Sequence, residues 1–102
     1  MATLVELARV IRSKNAGALN ITLDVMFDDA ATYERVLASG VISASTVAPL
    51  YAVEEQSVEI IPYPVANAIK ITLPRSRPSG DPGDGDVYGA QQHAPLLTIE
   101  IP

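Results

Sequence analysis

Two stretches of strict alternation most constrain what this chain can fold into. In residues 20–27, Ile21, Leu23, Val25 and Phe27 share one face, and Thr22, Asp24 and Met26 share the other. In residues 67–73, Ile69, Ile71 and Leu73 oppose Lys70 and Thr72. A period of two is the pattern of a strand buried on one side. The chain must therefore provide a second layer to cover that side. Residues 57–63 are rich in Val and Ile and read as a third strand. Pro62 and Pro64 end it or confine it to a sheet edge, because proline has no N–H for the ladder. Residues 96–101 alternate through Leu97, Ile99 and Ile101 and read as a fourth.

The covering layer reads as helical. Leu4, Leu7, Ala8 and Ile11 recur at helical spacing, and Thr3 with Glu6 forms a capping box before them. Arg9, Arg12 and Lys14 then fall where cations suit the end of a helix dipole. Asn15-Ala16-Gly17 stops this helix. A second helix is expected from a cap at Asp28 or Asp29 to about Ser39, with Ala31, Val36, Leu37 and Ala38 inward and Gly40 just past its end. A third runs over residues 45–52 from a cap at Ser43 or Ser45, although Pro49 lies later than the first turn that tolerates proline. About four strands and two or three helices predict an α+β fold, a small two-layer sandwich. The expected arrangement is ferredoxin-like with a circularly altered element order.

Size and composition fit one such domain over residues 1–102. The chain has 102 residues, 48% hydrophobic and 19% charged, which excludes a disordered chain. With no Trp and one Phe, the core must be aliphatic. The net charge is −5, and the cations cluster only at Arg9/Arg12/Lys14 and Arg75/Arg77. Phosphate neutralisation needs denser clusters, so no nucleic acid is expected as a partner. There is no Cys, hence no disulfide framework, thiolate nucleophile or Cys-type zinc site. No apolar run approaches a bilayer span, and the first residues do not read as a signal peptide. A cytoplasmic protein without membrane contact is the expectation.

Residues 74–94 depart from everything around them. Pro74, Pro78 and Pro82, with Gly80, Gly83, Gly85 and Gly89, punctuate a loop between two alternating segments. Loops of this length in a compact domain are commonly functional. Asp81, Asp84 and Asp86 suggest a cation site, but an EF-hand needs a Glu at its twelfth position. Counted from Asp84, that position is Pro95. Asp is equally at home as a turn residue beside Gly and Pro, so no metal is assigned. The glycines lack the spacing of a phosphate loop, and no nucleophile elbow is present. His93 is the single histidine. It could act as a general base, and with Gln92 and Asp86 it makes up the catalytic candidates, although a surface His without a role is the commoner case. Tyr88, Gln91, Asp84, Arg75 and Arg77 could hold a ligand or a partner. No cofactor is expected.

A second group comprises Asn15, Gly17 and Asp24. Asp24 lies on the polar side of an otherwise apolar strand. It is either a solvent-facing residue or the edge of a site or interface, since a carboxylate on a covered sheet needs a partner.

Four segments carry a resemblance. They are L-x-E-L-A-x-V-I-R-S-K-N-A-G from Leu4 to Gly17, L-D-V-M-F-D-D from Leu23, A-I-K-I-T-L-P-R from Ala68, and P-S-G-D-P-G-D-G-D-V-Y-G-A-Q-Q-H-A-P-L-L from Pro78. Together they resemble the bacterial domain of unknown function 4387 family over nearly the whole chain. Members are typically encoded beside acyclic terpene utilisation proteins of the AtuA type. The resemblance implies a small accessory subunit of a hetero-oligomeric AtuA-like enzyme, of hydratase or lyase type, in organic-acid or acyl-CoA catabolism. It implies an AtuA-like large subunit as partner and a small organic acid or acyl-CoA as substrate of the complex. A homo-oligomer is a further expectation, because apolar content is high for so small a chain. The alternative is a stand-alone binding or regulatory domain for a small carboxylic acid, using Arg75, Arg77 and the glycine amides.

Overall fold

The computed structural model describes residues 2–17, 19–74 and 94–102. Among them lie β1 (Ala2–Thr3), α1 (Leu4–Leu7), β2 (Val10–Asn15), β3 (Asn20–Met26), α2 (Ala30–Ser39), α3 (Ala44–Tyr51), β4 (Glu59–Tyr63), β5 (Ala68–Pro74) and β6 (Glu100–Ile101). The fold is α+β. The main sheet has the order β2-β3-β5-β4 with every neighbouring pair antiparallel. Since β3 and β4 both oppose β5, they run parallel to each other with β5 between them. Helices α2 and α3 make the connection. With β2 added beside β3, this is the order of a ferredoxin-like sheet whose last strand has moved to the front of the chain. A two-stranded sheet pairs β1 with β6, matching Ala2 to Ile101 and Thr3 to Glu100.

The alternating segments bury the side that their sequence marks. Ile21, Leu23, Val25, Ile69, Ile71 and Leu73 are buried in one cluster with Tyr33 and Val36 of α2 and Val47 and Ala48 of α3. Leu4, Leu96, Ile99 and Ile101 join the same cluster, so the terminal strands close the core from a third side. Each Val, Leu or Ile side chain among them contributes roughly 1.5–3 kcal/mol on burial. Arg35 of α2 fixes this closure by donating from Nε and Nη2 to the Pro102 carbonyl at 3.3 and 3.2 Å.

The first segment differs from expectation. The capping box forms, with Glu6 Oε1 accepting from the Thr3 backbone N–H at 2.9 Å and from its hydroxyl at 2.8 Å. The helix nevertheless lasts one turn. Ala8 is already extended, and residues 10–15 pair with β3 from Val10↔Met26 to Asn15↔Ile21. The apolar set at helical spacing is inward, with Leu4 buried and Leu7, Ala8 and Ile11 packed against the core. Two different backbones deliver it. β-Branched Val10 and Ile11 favour the strand, and six cross-strand pairs outweigh the extra helical turns. Asn15 and Gly17 therefore end a strand and turn a hairpin. Gly17 has φ +86°, a left-handed conformation that favours glycine.

The remaining elements need smaller corrections. Helix α2 is capped by Asp29, whose Oδ1 accepts from Thr32 N–H at 2.7 Å, and ends at left-handed Gly40. Its inward residues are Tyr33 and Val36, whereas Ala31, Leu37 and Ala38 are exposed. Ser43 caps α3, and Pro49 sits inside that helix. The proline is tolerated on an exposed position near the C-terminal end, where Val53 N–H bonds to the Ala48 carbonyl at 3.1 Å. Pro62 lies in β4, an edge strand of the main sheet, where a missing donor is cheapest. The final alternation is a short turn, Ala94–Leu96, followed by a strand of two residues. There Leu96, not Leu97, enters the core.

Candidate functional site

Helices cover one face of the main sheet. The other face is built from the even positions of β2, β3 and β5 and the odd positions of β4. Strand pairing sets these into rows. One row runs Val10, Met26, Ala68, Tyr63; the next Arg12, Asp24, Lys70, Ile61; the third Lys14, Thr22, Thr72, Glu59. The first row is apolar, and charge begins in the second. The border between them is a shallow basin of about 190 Å³. Arg12, Lys14, Lys70 and Asp24 line its charged side, and Met26, Ala68, Ala66 and Tyr63 its apolar side.

Asp24 sits at the centre of the charged row, directly across from Arg12 on one strand and Lys70 on the other. Its Oδ2 accepts from Arg12 Nε at 3.4 Å, and only 13% of its side chain is exposed. Arg12 itself is largely in solvent, so the pair contributes little to stability. Its consequence is electrostatic: Asp24 engages one cation of three. Among the described residues neither Lys14 nor Lys70 has an ion-pair partner. On a chain of net charge −5, the basin is thus a local positive spot. It can attract an anion, and its other side can accept a short apolar group.

At one end the basin meets the turn between β4 and β5. Pro64–Ala66 forms a single tight turn, and Asn67 completes it with φ 49°. Asn67 donates its N–H to the Pro64 carbonyl at 3.1 Å and accepts from Phe27 N–H at 2.9 Å. The turn is thereby closed on itself and tied through Asn67 to Phe27, just past the end of β3. On this frame Val65 is 96% exposed and Tyr63 is 53% exposed.

Of the residues marked from sequence, Asp24 belongs to the basin. Asn15 and Gly17 do not: Asn15 is on the opposite side of β2 by alternation, and Gly17 is a turn residue. His93, Gln92, Asp86, Asp84, Tyr88, Gln91, Arg75 and Arg77 lie outside the described residues. Among the described residues no group of three His, Cys, Asp or Glu is placed to hold a metal. Among the described residues no helix is long and apolar enough to cross a membrane. Sequence reasoning missed Lys70 and misassigned Arg12 and Lys14 to a helix end. The signal for Lys70 was its place on the polar side of an alternating strand, the same signal that marked Asp24.

Hydrogen bonds from Thr3 and from Thr32 hold the Glu6 and Asp29 carboxyls below their ordinary range, both at helix caps. Burial pushes the Tyr51 phenol upward, so it stays protonated.

A family model described as Domain of unknown function (DUF4387) matches residues 4–100. Comparison with curated proteins and with solved structures finds no match.

Proposed function

The chain belongs to the family of that description, DUF4387, and on this premise we propose that it is a small accessory subunit that docks on a larger AtuA-like protein. The docking element in this reading is the β4–β5 turn together with the sheet face beside it, opposite α2 and α3. The observation that carries it is Val65, almost fully exposed on a turn that backbone bonds hold rigid. Exposed apolar groups on rigid supports are what interfaces bury, and aromatic residues such as Tyr63 are enriched there. The basin adjoins this tip, so a partner seated on it would close the basin from above. The complex would act on a small organic acid or acyl-CoA in the cytoplasm, with chemistry of hydratase or lyase type.

The test is co-expression with the AtuA-like protein, followed by affinity capture of the larger chain. The small chain is expected in a fixed ratio. Val65→Asp is expected to abolish capture while leaving the thermal melt of the isolated chain unchanged, because exposed positions shift stability by less than about 0.5 kcal/mol. Capture of wild type and variant alike would overturn this placement of the interface. Failure to capture wild type would overturn the partner.

A further inference from the structure

We infer that the basin on the sheet face opposite α2 and α3 is a binding site for a small monocarboxylic acid with a short hydrocarbon tail. The residues that carry it are not the loop arginines and glycine amides that sequence alone put forward, and it does not rest on docking to a larger protein.

The charged row and Lys14 beside it supply the head group's partners. Arg12 is drawn toward Asp24, whereas Lys14 and Lys70 present ammonium groups with no ion-pair partner among the described residues. An ammonium offers three donors on a flexible stem and shapes itself to an oxygen anion. Asp24 takes up one of the three cations, and the apolar side carries none. A second charge carried on the tail would meet only Met26, Ala68 and Tyr63 and lose its hydration there. That favours a monoanion with a hydrocarbon tail.

The apolar row supplies the tail's partners. Met26 and Ala68 are cross-strand neighbours, and Ala68 is in turn the neighbour of Tyr63. A flexible thioether beside a methyl group and an aromatic ring takes a hydrocarbon without a fixed shape requirement. The volume, about 190 Å³, sets the size. A cavity of about 150 Å³ holds benzene, so the basin suits an acid of roughly six or seven heavy atoms. A nucleotide or an intact coenzyme thioester is far larger. An inorganic anion would leave the apolar side wet.

The experiment is a titration of the isolated full chain, isotopically labelled, followed by amide resonances. The probes are pentanoate, pentanamide of the same shape without charge, and inorganic phosphate. Pentanoate is expected to shift amides of residues 12, 14, 24, 26, 68 and 70 along a saturable curve. Pentanamide and phosphate are each expected to bind about ten-fold more weakly or not at all. Lys70→Met should weaken pentanoate about ten-fold, the scale of one lost charged hydrogen bond, with resonance dispersion retained. If that variant loses dispersion, Lys14→Met takes its place. Arg35→Met, with the same charge change on the helical layer, should leave the affinity unchanged. Three results would each overturn the assignment: linear, unsaturable shifts; equal binding of pentanamide or of phosphate; or equal weakening by Arg35→Met. Because no partner protein is present, these results are independent of whether the docking reading stands.

Discussion

Replacing Tyr33 by Phe should make this protein more stable. Tyr33 is 3% exposed, and its ring packs against Phe27 with centroids 6.3 Å apart and planes tilted by 58°. Its hydroxyl oxygen is buried without a hydrogen-bond partner among the described residues. In the unfolded chain that hydroxyl bonds to water, and on folding it gives those bonds up. The cost of a buried unsatisfied polar group is about 1–3 kcal/mol. Tyr33→Phe removes the group while keeping the ring, its burial and its tilt against Phe27. The oxygen leaves a void of about 10 Å³, costing about 0.2 kcal/mol at roughly 24 cal/mol per Å³. The net expectation is a gain of about 1 kcal/mol, or about 4–8 °C in Tm for a domain of this size. Urea denaturation checks it: the midpoint should rise with the slope unchanged, which separates a true stability change from altered compactness. A loss of 1 kcal/mol or more would refute the reasoning, because it would mean that the hydroxyl is satisfied, for example by a buried water. Tyr33→Ala serves as the control and should cost several kcal/mol through the cavity it opens.

Two further outcomes follow from the packing and the caps. Leu4→Ala should cost about 2–5 kcal/mol, clearly more than Leu7→Ala, since Leu4 is fully buried and Leu7 only partly; equal losses in urea titrations would favour a longer helix over the observed turn and strand. Asp29 and Glu6 have folded-state pKa values below their ordinary values, so the stabilisation they give is present above the ordinary carboxylate pKa and is lost as pH falls through the lowered one. Asp29→Asn keeps an oxygen to cap α2 but removes the charge, so melts across the acid range should show a shallower loss of stability than wild type.

The strands β3 and β5 were legible because each is buried on one side only and writes that fact as alternation. The caps at Thr3/Glu6, Asp29 and Ser43 were legible because they are local chemistry. Residues 10–15 were not. Their inward positions are Ile11, Ser13 and Asn15, so the core-facing side of β2 includes a buried serine and breaks the hydropathy pattern. Leu4, Leu7, Ala8 and Ile11 satisfy helical spacing equally well, and pairing with β3 decides between them. That pairing is a long-range event which no window of sequence contains. The basin was hidden for the same reason. Asp24 was visible as an odd carboxylate, but only the registers Arg12↔Asp24 and Asp24↔Lys70 bring its cations beside it. The tip residue Val65 carried no signal, because a single exposed valine is unremarkable until its turn is known to be anchored.

The most direct test of the accessory-subunit account is hydrogen exchange of this chain, alone and mixed with the AtuA-like protein. The account predicts slowed exchange in residues 59–70 and 10–15, the β4–β5 turn and the strands that border the basin, with α2 and α3 unchanged. Exchange that is identical in both samples would contradict it. So would protection confined to the outer helical surface around Leu37 and Leu50, where the remaining exposed leucines of α2 and α3 lie.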